Sequence, residues 1–141
     1  MAATAGERRS SVIRYVLGSL LAFGAVNAAA GGYYGLSGAE GVPVEWLKGS
    51  PFRDYFIPGL VLLVVVGGSF LAGAIAAFTN SRLARVAGLG AGAVVLVWIS
   101  VQLSIIGYVS WMQPVTAAGG LAILGLSWLL PRQSATPRPA R

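Results

Sequence analysis

The sequence contains no cysteine and no histidine, and each absence removes a block of chemistry. Without cysteine there are no disulfides and no thiolate metal ligands. Without histidine, zinc and haem sites lose their commonest ligand. No cofactor or metal site is expected. Acidic residues are nearly as scarce, being limited to Glu7, Glu40, Glu45 and Asp54. Charged residues make up 10% of the chain, against roughly a quarter in soluble domains.

What is abundant is apolar surface, since 56% of the 141 residues are hydrophobic. A soluble domain of this length could not hide so much, and large exposed apolar patches aggregate. A bilayer solvates them instead, so the composition reads as a one-domain integral membrane protein. The net charge is +6, but the basic residues sit at the ends of apolar runs. That is a topology signal rather than a stripe for phosphates, so membrane lipids are the expected surroundings and no nucleic acid is.

The apolar runs predict an all-α, polytopic fold, with four transmembrane helices in an up-down bundle. The helices are expected at about residues 12–34, 58–78, 82–108 and 114–130, each near the ~20 residues that cross a hydrocarbon core of ~30 Å. Residues 1–11 and 131–141 read as disordered tails. The first run, followed by the small residues Asn27 to Gly31, also fits a cleaved signal peptide, although it exceeds the ~7–15-residue core of such peptides. Gly31, Gly32, Gly35, Gly38 and Gly41 argue against helix in the first half of the loop 35–57. Ser50 and Pro51 offer a cap and a first-turn proline, which predicts a short interfacial helix from Pro51 to Phe56. Pro58 should then kink or restart the chain. Pro114 falls at the natural start of the fourth helix.

Orientation follows from the basic residues. Arg8, Arg9, Arg14, Arg82, Arg85, Arg132, Arg138 and Arg141 fall on one side, and only Lys48 and Arg53 on the other. The positive-inside rule then puts both termini in the cytoplasm and the loop outside. Tyr33, Tyr34, Trp46, Tyr55, Tyr108 and Trp111 gather at the outer boundary, with Tyr15 and Trp128 at the inner one, as headgroup-level belts do. Trp46, Asp54, Tyr55 and Trp111 make a candidate recognition surface, because aromatic anchors often line such sites.

Small residues recur every three or four positions at Gly18, Ala22, Ala25 and Ala29, and every four at Gly68, Ala72 and Ala76, at Ala84, Gly88 and Gly92, and at Thr116 and Gly120. Such stripes let helix backbones approach within a subunit, or against a second copy or another membrane protein. Polar residues inside the spans are few. Ser100, Gln102 and Ser104 are expected to satisfy neighbouring helices, and Asn27, Trp98 and Gln102 form a candidate intramembrane polar site. Catalysis would have to draw on Glu40, Glu45 and Asp54 in a wet loop, where their pKa values need not shift. No enzyme activity and no catalytic residue is expected.

The run Glu45-Trp46-Leu47, Gly49-Ser50-Pro51-Phe52, Asp54-Tyr55 and Ile57-Pro58-Gly59, followed by a Val/Leu run and Gly67-Gly68, resembles a group of uncharacterised small bacterial integral membrane proteins. Their third helix and second outer turn are matched by Trp98, Ile99 and Gln102, and by Trp111, Gln113 and Pro114. The resemblance covers about residues 35–128. It implies a four-helix, multi-pass fold in a bacterial inner membrane, and it carries no activity or ligand residues. The expected role is that of a non-enzymatic accessory or interaction protein. The alternative is a channel, carrier or lipid-binding bundle with its site near Asn27 and Gln102. On intact cells, a cysteine placed at Ser50 should react with an impermeant maleimide, and one at Ser81 only after permeabilisation. The reverse pattern would invert the orientation.

Overall fold

Four helices in up-down order carry most of residues 2–133, the part of the chain described by the computed structural model. They are α1 (Ala5–Leu36), α2 (Phe56–Phe78), α3 (Ala84–Ile106) and α4 (Met112–Leu129), and no strand occurs among the described residues. All four are long and apolar enough to span a bilayer. The 23 residues of α2 and of α3 rise ~34 Å, enough for the hydrocarbon core. This is an all-α, multi-pass membrane bundle. Both described chain ends and the α2–α3 turn lie at one end, the terminal end. The long connection 37–55 and the α3–α4 turn lie at the other, the loop end.

α1 is longer than its apolar run, and local capping explains both extensions. At its start, the Glu7 N–H donates to Thr4 Oγ1 (3.2 Å) and the Thr4 N–H donates to Glu7 Oε2 (2.7 Å). This reciprocal capping box satisfies two free donors and turns most of the expected first tail into helix. At its other end the helix runs through Gly31, Gly32 and Gly35 and stops at a Schellman motif. The Ala39 N–H donates to Tyr34 O and the Gly38 N–H to Gly35 O, with Gly38 at φ +99°. The stop signal is therefore Gly38, the residue that must adopt a left-handed backbone. The same motif ends α2, with Asn80 at φ +54°.

The interfacial helix expected over Pro51–Phe56 does not form. The loop's helical element is a 3₁₀ turn at Val44–Leu47. Ser50 Oγ accepts from the Phe52 N–H (3.2 Å) and donates to Leu47 O (2.8 Å), which closes a turn instead of capping a helix. Asp54 takes that part, its Oδ1 accepting the Phe56 N–H (3.0 Å) where α2 begins. Pro58 sits in the first turn of α2, where its missing N–H has no helical acceptor to lose, so it neither kinks nor restarts the chain. The irregularity comes a turn later. Leu62–Val66 is a π-helical segment in which the Gly67 N–H reaches back to Leu62 O. Of the tail expected over 131–141, Pro131 to Gln133 are without regular structure and the rest lies outside the described residues.

The helices pack by putting small residues under large ones. α1 and α2 meet backbone to backbone at the loop end. A Cβ at Gly35 would stand 2.8 Å from the Gly59 Cα, and one at Gly59 would stand 2.9 Å from Gly32 O. Toward the terminal end, Gly18 lies under the Phe78 ring and Gly73 under Leu21. Ala84, Gly88 and Gly92 are buried on α3 as expected, and they face α4 of the same chain. Gly88 meets Ser127, Gly92 meets Leu124, and Gly120 meets Val95 and Leu96. The stripe on α2 is displaced. Of its members Ala76 is buried but Gly68 and Ala72 are exposed, and Phe70, Gly73, Ala74 and Ala77 complete the buried face. Leu17 and Leu21 are fully buried at the centre of this half.

Gly35→Ala and Gly59→Ala should each destabilise the protein by about 1–3 kcal/mol, because overpacking at a backbone contact cannot be relieved by a rotamer change. Gly125→Ala, with open space around its Cβ, should be neutral or slightly stabilising. Unfolding midpoints of the three variants in one detergent check both halves of this expectation.

Candidate functional site

α2 and α3 pack closely near the α2–α3 turn and separate toward the loop end. The π segment lies on the separating half of α2, and the contact with α1 holds that half at Gly59. A cleft of about 670 Å³ fills the gap. One wall is Pro58, Leu62, Val65 and Val66 of α2, and the other is Val94, Val97, Trp98, Val101, Gln102 and Ile105 of α3. Gly31 and Gly35 of α1 form part of the back. Ala39, Val42, Trp46, Leu47 and Phe52 close the loop end.

Two tyrosines hold that closure in place. The Tyr55 hydroxyl donates to Pro43 O (2.8 Å), tying the start of α2 to the 3₁₀ turn. The Tyr34 hydroxyl donates to Glu40 O, tying α1 to the middle of the loop. Burial pushes the Tyr55 phenol above its ordinary pKa, and the nearby Glu45 charge acts the same way, so it keeps the proton it donates. Inside the cleft the lining is almost wholly apolar. Gln102 brings the only side-chain amide among the described lining residues, and that amide makes no hydrogen bond to any described residue.

The structure divides the candidate residues. Trp98 and Gln102 share the cleft wall, whereas Asn27 is exposed elsewhere on α1, its Nδ2 donating to Phe23 O of its own helix (2.8 Å). The intramembrane trio therefore does not assemble. Ser100 and Ser104 also bond within their own helix, to Leu96 O and Ser100 O, rather than across to a neighbour. Of the recognition set, Trp46 and Tyr55 line the cleft. Asp54 is an exposed cap, and Trp111 stands outside the cleft on the α3–α4 turn, 69% exposed. Glu45 and Asp54 are both exposed, with no shared cleft between them.

Gln113 is the residue whose weight the sequence hides. It is 3% exposed. Its Oε1 accepts the Val109 and Ser110 N–H groups, and its Nε2 donates to Gly107 O (2.9 Å). It thereby locks the α3–α4 turn, where Gly107 takes φ +69°. A glutamine just before a helix-starting proline carries no pattern that separates this role from a solvated one.

Bundle and cleft together define the class: a multi-pass integral membrane protein with a laterally placed apolar cleft at one end. No protein-family model, no curated protein and no solved structure shows a significant match to this chain.

Gln113→Leu should lower stability by about 1 kcal/mol, since it removes three hydrogen bonds to part-buried backbone groups of the turn. The Val109 and Ser110 amides should then exchange hydrogen faster than in the wild type. Unchanged exchange at these two positions would contradict the assignment.

Proposed function

We propose that this is a non-enzymatic lipid-binding membrane protein that holds a hydrocarbon chain in the cleft between α2 and α3. The observation carrying this reading is an apolar cleft of about 670 Å³ with the Gln102 amide in its wall. Sites for small molecules fall at roughly 300–1,000 Å³ and are apolar with a few polar groups. A lining this apolar offers water few hydrogen-bond partners. At membrane depth the natural occupant is therefore an acyl or isoprenoid tail. Gln102 is placed to bond an ester or hydroxyl oxygen near that tail's polar end.

Two features favour holding over conducting. The lining stops at Val66 on α2 and Ala93 on α3, and below them Phe70, Ala74, Ala77 and Ala91 are buried in packed core. The loop residues close the other end. A partner's membrane helix, ~10–12 Å across, would have to pass that closure, whereas a flexible tail need not. The exposed Glu45 and the capping role of Asp54 support a non-catalytic reading. Of the eight basic residues described, six sit toward the terminal end and only Lys48 and Arg53 in the loop, which supports cytoplasmic termini and an outward-facing cleft. The resemblance to small bacterial membrane proteins supports an inner-membrane location.

Brominated fatty acid added to the protein in detergent should quench Trp98 and Trp46 saturably, in a background with Trp111→Phe and Trp128→Phe. Val101→Phe in the same background narrows the cleft and should reduce saturable quenching severalfold while the unfolding midpoint holds. Linear quenching that is indifferent to the narrowed cleft would sink the proposal.

A further inference from the structure

A second site lies at the opposite end of the bundle. Arg14 of α1, Arg82 of the α2–α3 turn and Arg85 of α3 line one small cavity, together with Ser10, Asn80 and Ser81. Its volume is about 20 Å³, enough for one water-sized group such as a single oxygen atom. Two segments far apart in the chain, α1 and the stretch from the α2–α3 turn into α3, thus bring three arginines to the lining of one cavity.

Those groups have no acidic neighbour to explain them. Glu40, Glu45 and Asp54 belong to the loop end, across the bundle. Glu7 is on α1 but seven positions before Arg14, ~10 Å along the axis, and its carboxylate is taken up by the Thr4 N–H. That separation already exceeds the ~8 Å over which charge is screened at physiological ionic strength. Arg14 Nε is buried and has no hydrogen-bond partner among the described residues. An unpaired buried donor of this kind is costly, and an anionic oxygen would satisfy it.

The ring contacts set the geometry. The Arg85 guanidinium lies 4.8 Å from the Trp128 ring centroid, and that of Arg14 lies 5.1 Å from the Tyr15 ring. Both rings are more than half exposed at the level where a headgroup meets its acyl chains. Seated on these rings, the guanidiniums keep their remaining N–H groups free for a phosphate, which arginine binds through paired hydrogen bonds.

From this juxtaposition we infer that Arg14, Arg82 and Arg85 form a binding site for an anionic phosphate group, as carried by an acidic phospholipid at the terminal-end surface. The site is separate from the cleft and does not depend on it.

The test uses the full chain in neutral detergent, titrated with phosphatidylglycerol, with phosphatidylcholine of the same chains, or with inorganic phosphate. Thermal unfolding is the readout. Saturating phosphatidylglycerol should raise the midpoint by ~5 °C, the scale set by a ligand far above its Kd, and phosphatidylcholine should not. Inorganic phosphate without effect assigns the site to the lipid, and an equal rise assigns it to a soluble phosphate; either keeps the phosphate site. R14Q/R82Q/R85Q should weaken phosphatidylglycerol binding at least tenfold, while R53Q, in the loop at the opposite end, retains it. If the triple variant does not fold, R82Q alone, on an exposed side chain, should weaken binding about threefold. Equal shifts with both lipids, or variants that bind as the wild type does, overturn the inference.

Discussion

The contact of Gly32 and Gly35 with Gly59 is the constraint on which the loop-end half depends. With no Cβ at these positions, α1 and α2 approach until their main chains touch. Lipid supplies no hydrophobic force to drive helices together, so such close packing is what holds them. Any side chain at Gly35 or Gly59 would push the two helices apart. Because α2 is held to α1 here, it leans away from α3, and the π segment at Leu62–Val66 lies along the resulting gap. The cleft is thus a consequence of where the glycines are.

The two halves of the bundle follow different packing rules. Near the termini, α1, α2 and α3 each present a small residue to a neighbour's large one: Gly18 to Phe78, Gly73 to Leu21, Gly92 to Leu124. Near the loop, only the α1–α2 and α3–α4 pairs close, the second held by Gln113 at its turn. The loop then bridges the open side, through Tyr55 to Pro43 and Tyr34 to Glu40. Its hydrogen bonds anchor the loop to α1 and to the start of α2, and its 3₁₀ turn packs on α3 across the gap. The basic residues gather beyond the packed half, where they serve the phosphate site rather than the cleft.

Much of the fold is legible in the sequence because apolar runs and helix-terminating turns are local signals. Four spans, the hairpin at Asn80 and the face formed by Ala84, Gly88 and Gly92 can all be read that way. Glycine is where reading fails, since one residue type serves two opposite ends. Gly38 ends a helix through its positive φ, whereas Gly32 and Gly35, a few residues earlier, continue one because another backbone must come close. Only the partner, Gly59, distinguishes them, and it lies over twenty positions away. Thr4 and Glu7 are a readable capping box, overshadowed by the polar composition around them. For the cleft, Trp98 and Gln102 are identifiable as a polar point on an apolar helix. Asn27 looks equivalent in sequence but turns to a different face, and its back-bond to Phe23 satisfies it there.

The separation of α2 from α3 has a mechanical meaning. The α1–α2 pair and the α3–α4 pair share the packed layer around Leu21, Gly73 and Ala91 and diverge from it, so the space between them is a wedge. It is narrowest at Val66 and Ala93 and widest at the rim, where Trp46 and Tyr55 stand. In a wedge, a change in the angle between the two pairs alters the width of the rim most and that of the apex least.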